Sequence, residues 1–282
     1  MQPEYKFVED FSNAELLDIF VIPNQASKII WDVNSNNIKQ ISSQIICLVK
    51  NNKINIQMIH YLIDKFSEMR EKDIEIFAEL YQGITNEIPY NIKPTNKRLA
   101  DLLYYKGHRY SNDKDFSPKK TEEEALYIYS TESPLYCIAW DDINGLKSKF
   151  PDSSIEKLIW YKMHPIDYAI KYGSELCFNY LKNLGAKYHK KSAKYAIKGR
   201  NINIFMQMVD DGVSFDNLFD LALYYKNYEI AEYIQTHFKP NNVSLIRSLD
   251  FGNYDIASYL INKGVDVNEV YIHILILFII IL

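Results

Sequence analysis

The chain has 282 residues, a hydrophobic fraction of 48%, a charged fraction of 24% and a net charge of −4. That length buries a sizeable core in one elongated or two compact domains, and the near-neutral charge gives no global pull toward nucleic acid or membrane. Nine Gly and nine Pro supply few tight turns, which disfavours a sandwich or barrel and favours helices. Ile, Asn, Lys and Tyr, all with AT-rich codons, make up about 40% of the chain, so genome composition accounts for the tyrosines without invoking an aromatic binding surface. Cys47, Cys137 and Cys177 are odd in number and show no CxxC spacing. Such usage implies a reducing, intracellular (cytoplasmic) setting and argues against a disulfide framework or zinc site. The opening residues, MQPEYKFVED, contain no apolar signal segment.

In chain order, residues 41–66 read as two amphipathic helices around the polar break Asn51-Asn52-Lys53. Residues 71–81 read as another helix, and 98–105, through Leu99, Leu102 and Leu103, as one more that stops at Gly107. Residues 108–121 are polar and aperiodic and are placed as a linker. Residues 1–121 thus form a helical N-terminal domain with its linker, itself open to being a diverged hairpin array.

Beyond it the sequence repeats. Small residues recur at Ala169, Ala196, Ala222 and Ser248, each followed at the next position by Ile170, Ile197, Leu223 and Leu249. Eight positions on come Cys177, Ile204, Ile230 and Ile256; twelve on, Leu181, Met208, Ile234 and Leu260; sixteen on, Gly185, Gly212, Phe238 and Gly264. The small column lets neighbouring hairpins approach, and the pair four apart forms one buried face of a second helix. A terminal Gly adopts the left-handed conformation that ends a helix. Gly173 and Gly252 mark the turn between the two helices, and Pro165 suits a first helical turn. A degenerate earlier unit starts at Ser133-Pro134-Leu135 and keeps Leu135, Ile138, Ala139, Leu146 and Phe150.

Ser133-Pro134-Leu135-Tyr136 and His164-Pro165-Ile166-Asp167-Tyr168-Ala169 resemble the opening of an ankyrin first helix. The run from Tyr259 to Asn268, YLINKGVDVN, resembles the end of an ankyrin repeat, and Leu184-Gly185-Ala186 is a shorter match. The resemblance covers about half the chain and extends to the expanded ankyrin families of AT-rich parasitic protists, which carry a helical N-terminal region of unknown function. The period departs from the family's roughly 33 residues: the small column recurs at 26 or 27. The shortfall matches a β-hairpin finger, so clipped or absent fingers are expected. The expected fold is all-α: a solenoid of short ankyrin-like hairpins over 122–268 behind the N-terminal domain, followed by an apolar tail at 269–282. Residues 270–282 of it carry no charge, are too few to span a bilayer and offer no polar end cap. A truncated or frame-altered end is the first expectation, packing on the last repeat the second, a membrane anchor the third.

No phosphate-cradling glycine motif or nucleophile elbow occurs, and the six histidines show no metal-ligand spacing. No catalytic residue, metal or cofactor is expected. Asp141-Asp142 reads as an exposed helix end, because adjacent helical residues diverge by about 100°. Residues 187–200 carry Lys187, Lys190, Lys191, Lys194, Lys198 and Arg200 without an acid, and read first as a solvated connection. By the resemblance, first helices line a concave surface onto which Asp167, Lys171, Lys194, Lys198, Asp220, Tyr224, Ile246 and Asp250 project. The expected function is a monomeric, non-enzymatic scaffold that binds an unidentified protein partner through that face, without membrane contact. The alternative is nucleic-acid or acidic-ligand binding through 187–200.

Overall fold

A computed structural model describes residues 15–149 and 163–266, and every regular element among them is helical. Phe150, the last two residues of the YLINKGVDVN run (Val267 and Asn268) and the apolar tail at 269–282 lie outside the described residues. The chain divides into two compact units, residues 1–126 with 244–282, and residues 127–243.

In the first unit, α1 (Asp18–Trp31), α2 (Ile38–Lys50), α3 (Ile56–Met69) and α4 (Ile74–Glu87) are followed by α5 (Lys97–Tyr105) and α6 (Glu122–Tyr127). The two helices expected around Asn51-Asn52-Lys53 are α2 and α3, with Asn52 left-handed in the turn at φ 52°. The helix expected at 71–81 begins with a 3-10 turn, Glu71–Asp73, and runs further as α4. Helix α1 was not legible, because Pro23 inside it reads as a breaker. Helix α1 packs on α3 and α2 on α4, so the first four helices form two stacked pairs. Asn55 caps α3 by accepting from the Gln57 N–H, and Asn96 caps α5 from the Arg98 N–H.

Residues 108–121 are not a free linker. Tyr110 is buried and donates to the Ala100 carbonyl at 2.7 Å, and Phe116 sits edge-on to Tyr104 and Tyr110. Two aromatic rings thus anchor a segment whose polar composition suggested a connector. Arg98 secures α6 beyond it by donating to the Ala125 and Leu126 carbonyls, and reaches back to the carbonyl of Glu71.

Among its described residues the second unit shows four helical hairpins: α7 (Pro134–Ala139) with α8 (Ile143–Lys149), α9 (Pro165–Lys171) with α10 (Glu175–Asn183), α11 (Ser192–Gly199) with α12 (Ile202–Asp210), and α13 (Phe219–Tyr224) with α14 (Tyr228–His237). Helices α7, α9, α11 and α13 pack on one another in chain order, and so do α8, α10, α12 and α14. The repeating apolar columns are what they bury: Ala169, Ala196, Ala222, Ile170, Ile197, Leu223, Cys177, Ile204, Ile230, Leu181, Met208 and Ile234 are all 2% exposed or less.

The backbone repeats as the side chains do. Gly173, Arg200 and Lys226, at matching positions, all have φ between 50° and 64° in the turn between paired helices. After α10 the Gly185 and Ala186 N–H groups donate to the Lys182 and Leu181 carbonyls, and Gly212 and Val213 repeat this after α12. Phe238 breaks the column: its backbone is extended, at φ −126°, and its ring packs on Phe215. Close approach is sharpest at Gly199, where a Cβ would lie 2.0 Å from the Ile170 carbonyl oxygen.

The final hairpin, α15 (Leu245–Asp250) with α16 (Tyr254–Asn262), keeps the repeat register, with Gly252 at φ 65° and Gly264 at φ 82°. It belongs to the first compact unit. Helix α16 packs on α1, with Phe20 stacked on Tyr254 at 5.6 Å. Ser27 donates to the Gly252 carbonyl at 2.6 Å and Tyr61 to the Asp250 carbonyl at 2.9 Å.

Candidate partner-binding face

The residues expected on one open row separate in the structure. Lys194 is exposed, and Lys171, Lys198, Ile246 and Asp250 are half-buried. Asp167, Asp220 and Tyr224 are buried, at 2%, 4% and 2% exposure. For Asp167 the physical reason is the stacking of first helices: α11 packs on α9, and Asp167 lies in their seam, bonded to Ser192 at the start of α11. Asp220's own N–H is held by the Asn241 side chain at 3.1 Å. Asp250 and Ile246 lie in the other compact unit.

Asp167 shows how the seam is held. Its carboxylate accepts from the Ser192 hydroxyl at the start of α11 and lies 3.3 Å from His189 Nδ1. Ser192 Oγ in turn accepts from the His189 N–H at 2.8 Å, and the His189 ring stacks on His164 at 3.5 Å. The three side chains are those of a hydrolytic triad in the wrong order. An imidazole must lie between hydroxyl and carboxylate to move a proton, whereas here the carboxylate is in the middle and Ser192 is fully buried. The arrangement joins one hairpin to the next.

Other seam bonds serve the same purpose. Asp141, left-handed at φ 60°, accepts from the Leu176 and Cys177 N–H groups and so caps α10. Asp142 accepts from the Gly145 N–H within α8. The pair expected at an exposed helix end is therefore two caps in a turn, one to each of two helices. Ser174 donates to the Ala139 carbonyl and Asn201 to the Gly173 carbonyl. Cys137 and Cys177 are buried, and desolvation, with Asp142 and Asp141 respectively nearby, pushes both thiols up. They pack as small hydrophobes.

The accessible remainder is basic, with the buried Tyr172 and the half-buried Tyr225 beneath two of its lysines. Lys171 Nζ lies 4.6 Å from the Tyr172 ring centroid and Lys198 Nζ 5.6 Å from that of Tyr225. Lys187, Lys190, Lys191 and Lys194 are exposed and form no ion pair among the described residues.

The first unit offers a polar hollow of about 450 Å³ lined by Gln82, Thr85, Asn86, Asn91, Lys106, Gly107, His108 and Arg109. Its cations are engaged: Lys106 faces Glu75 at 3.7 Å, and Arg109 donates to the Tyr104 and His108 carbonyls at the end of α5. Behind it, His60 is packed against Tyr81 at 4.3 Å and Tyr90 at 4.9 Å. Both His60 ring nitrogens are buried without a hydrogen-bond partner. Burial, with a smaller contribution from His108, holds its pKa down to about 3. No spacing in the sequence signalled this residue or the His164–His189 stack.

Among the described residues no group of three or more His, Cys, Asp and Glu side chains is arranged to hold a metal ion, and no helix is long and apolar enough to cross a membrane. Comparison with family models, curated proteins and solved structures finds no match to this chain.

Proposed function

We propose that this chain is a non-enzymatic scaffold: an ankyrin-like stack of short helical hairpins that binds a protein partner across its first-helix face. The observation that carries the reading is the packing of α7, α9, α11 and α13 in chain order, each helix on the next. Stacked repeats of this kind bind through extended faces rather than enclosed pockets. The accessible part of the face is narrower than the full row, comprising Lys171, Lys194 and Lys198 with the half-buried Tyr225 beside Lys198. The likeness of residues 133–136, 164–169 and 259–268 to ankyrin motifs supports the same reading.

The test places a photo-crosslinking amino acid at Lys171 or Lys198, and for comparison at Leu176 or Glu232 on second helices. The expected result is a discrete crosslinked protein from the first-helix positions only. Equal labelling from both sets, or none from either, refutes the reading.

A further inference from the structure

We infer that the lysines preceding and opening α11 dock an acidic segment of a protein partner, a step that rests on the scaffold reading. Lys187, Lys190, Lys191 and Lys194 stand exposed within eight residues, with no carboxylate paired to any of them among the described residues. The acids that touch this segment are already engaged. Asp167 is buried and bonded to Ser192 and His189, and Asp211 is bonded to Lys182 and to the Tyr188 hydroxyl.

The helix they open is itself poorly terminated. Its N-cap is Lys191, without a side-chain cap bond, and its first turn holds no acid. Several other helices also lack a side-chain cap bond, but among the described ones α11 alone has a lysine as its N-cap. Lysines at the positive end of a helix oppose its dipole and repel one another at separations inside the screening length. Carboxylates brought by a partner relieve both effects at once.

The same surface suits a peptide better than a nucleic acid. The Tyr188 ring is stacked on Phe178 and its hydroxyl is bonded to Asp211, so it provides no open platform for bases. Lys190 and Lys194 are one helical turn apart, a spacing that a short run of glutamates or aspartates meets.

The experiment is an anisotropy titration of the full chain with a fluorescein-labelled oligoglutamate peptide and, separately, a single-stranded oligonucleotide of equal charge. Two variants are compared: Lys187→Gln, Lys190→Gln, Lys191→Gln and Lys194→Gln together, and a control of equal net charge, Lys39→Gln, Lys53→Gln, Lys97→Gln and Lys114→Gln. The peptide is expected to bind the wild type, with affinity falling about tenfold between roughly 50 and 200 mM salt. The first variant should weaken it by a further factor of about ten, and the control should leave it within about twofold. Absence of peptide binding at low salt, equal loss in both variants, or tighter binding of the oligonucleotide overturns the assignment. If the crosslinks from Lys171 and Lys198 persist in that case, the scaffold reading stands and only the acidic partner falls.

Discussion

His60 makes the first unit sensitive to acid. Its imidazole is 9% exposed, wedged against Tyr81 and Tyr90, with neither nitrogen bonded. The neighbouring groups that bear on its charge are His108, which disfavours it further, and Tyr81 and Tyr90, which are neutral in this range. In the unfolded chain His60 takes up a proton near 6.5, and in the folded chain only near 3. Between those values the unfolded state binds more protons, so stability is complete above about pH 6.5 and is lost as the pH falls toward 3. At 1.36 kcal/mol per unit, the loss by about pH 4 is about 3 kcal/mol. Replacing His60→Phe keeps a ring between the tyrosines and removes both the titration and the unbonded nitrogens; His60→Leu does the same with less volume. Urea unfolding of wild type and variant, followed by circular dichroism at about pH 7 and about pH 4, isolates the effect as a difference of differences. The variant should gain about 3 kcal/mol on the wild type as the pH falls. A gap between the two proteins that is the same at both pH values refutes the argument.

Three further changes probe the packing. Gly199→Ala drives a methyl into the Ile170 carbonyl and should destabilise the second unit by about 3 kcal/mol in chemical denaturation; a neutral result would mean that α9 and α11 separate freely. Asp141→Gly keeps the left-handed turn but removes the cap on α10, and a melt should register a loss of about 1 kcal/mol, with Asp141→Ala losing more because the backbone strain is added. Tyr254→Ala, at a residue 1% exposed, should cost about 3–5 kcal/mol and raise amide exchange in α1 and α3 as well as in α16. Faster exchange confined to α15 and α16 would contradict the packing of that hairpin on α1.

The repeat columns were legible because each is a demand for burial written at a fixed spacing. Ala196, Ile204 and Met208 had to face inward whatever lay opposite, and the left-handed residues at Gly173, Gly185 and Gly212 had to end helices. The outward row was harder to read. A helical wheel places Asp167 and Asp220 away from their own hairpin, but whether such a position is open depends on the next hairpin, and α11 closes over Asp167. The same limit applies at residues 108–121, where composition spoke for solvent and the rings of Tyr110 and Phe116 found neighbours far enough away in sequence to leave no local pattern.

The final hairpin shows this limit most sharply. Its Ser248, Leu249, Ile256 and Leu260 repeat the columns of the hairpins before it, yet it belongs to the compact unit built from the N-terminal helices. A buried stripe specifies that a face must be covered and says nothing of what covers it. Here part of the covering comes from Phe20 and Ser27 on α1 and Met58 and Tyr61 on α3, none of which shares the repeat register. Shared register is therefore no guarantee of a shared surface. Asp250 occupies the same repeat position as Lys171 and Lys198, but its backbone carbonyl accepts the Tyr61 hydroxyl within the other unit. Of the expected row, the positions left open within the second unit are therefore Lys171 on α9 and Lys194 and Lys198 on α11.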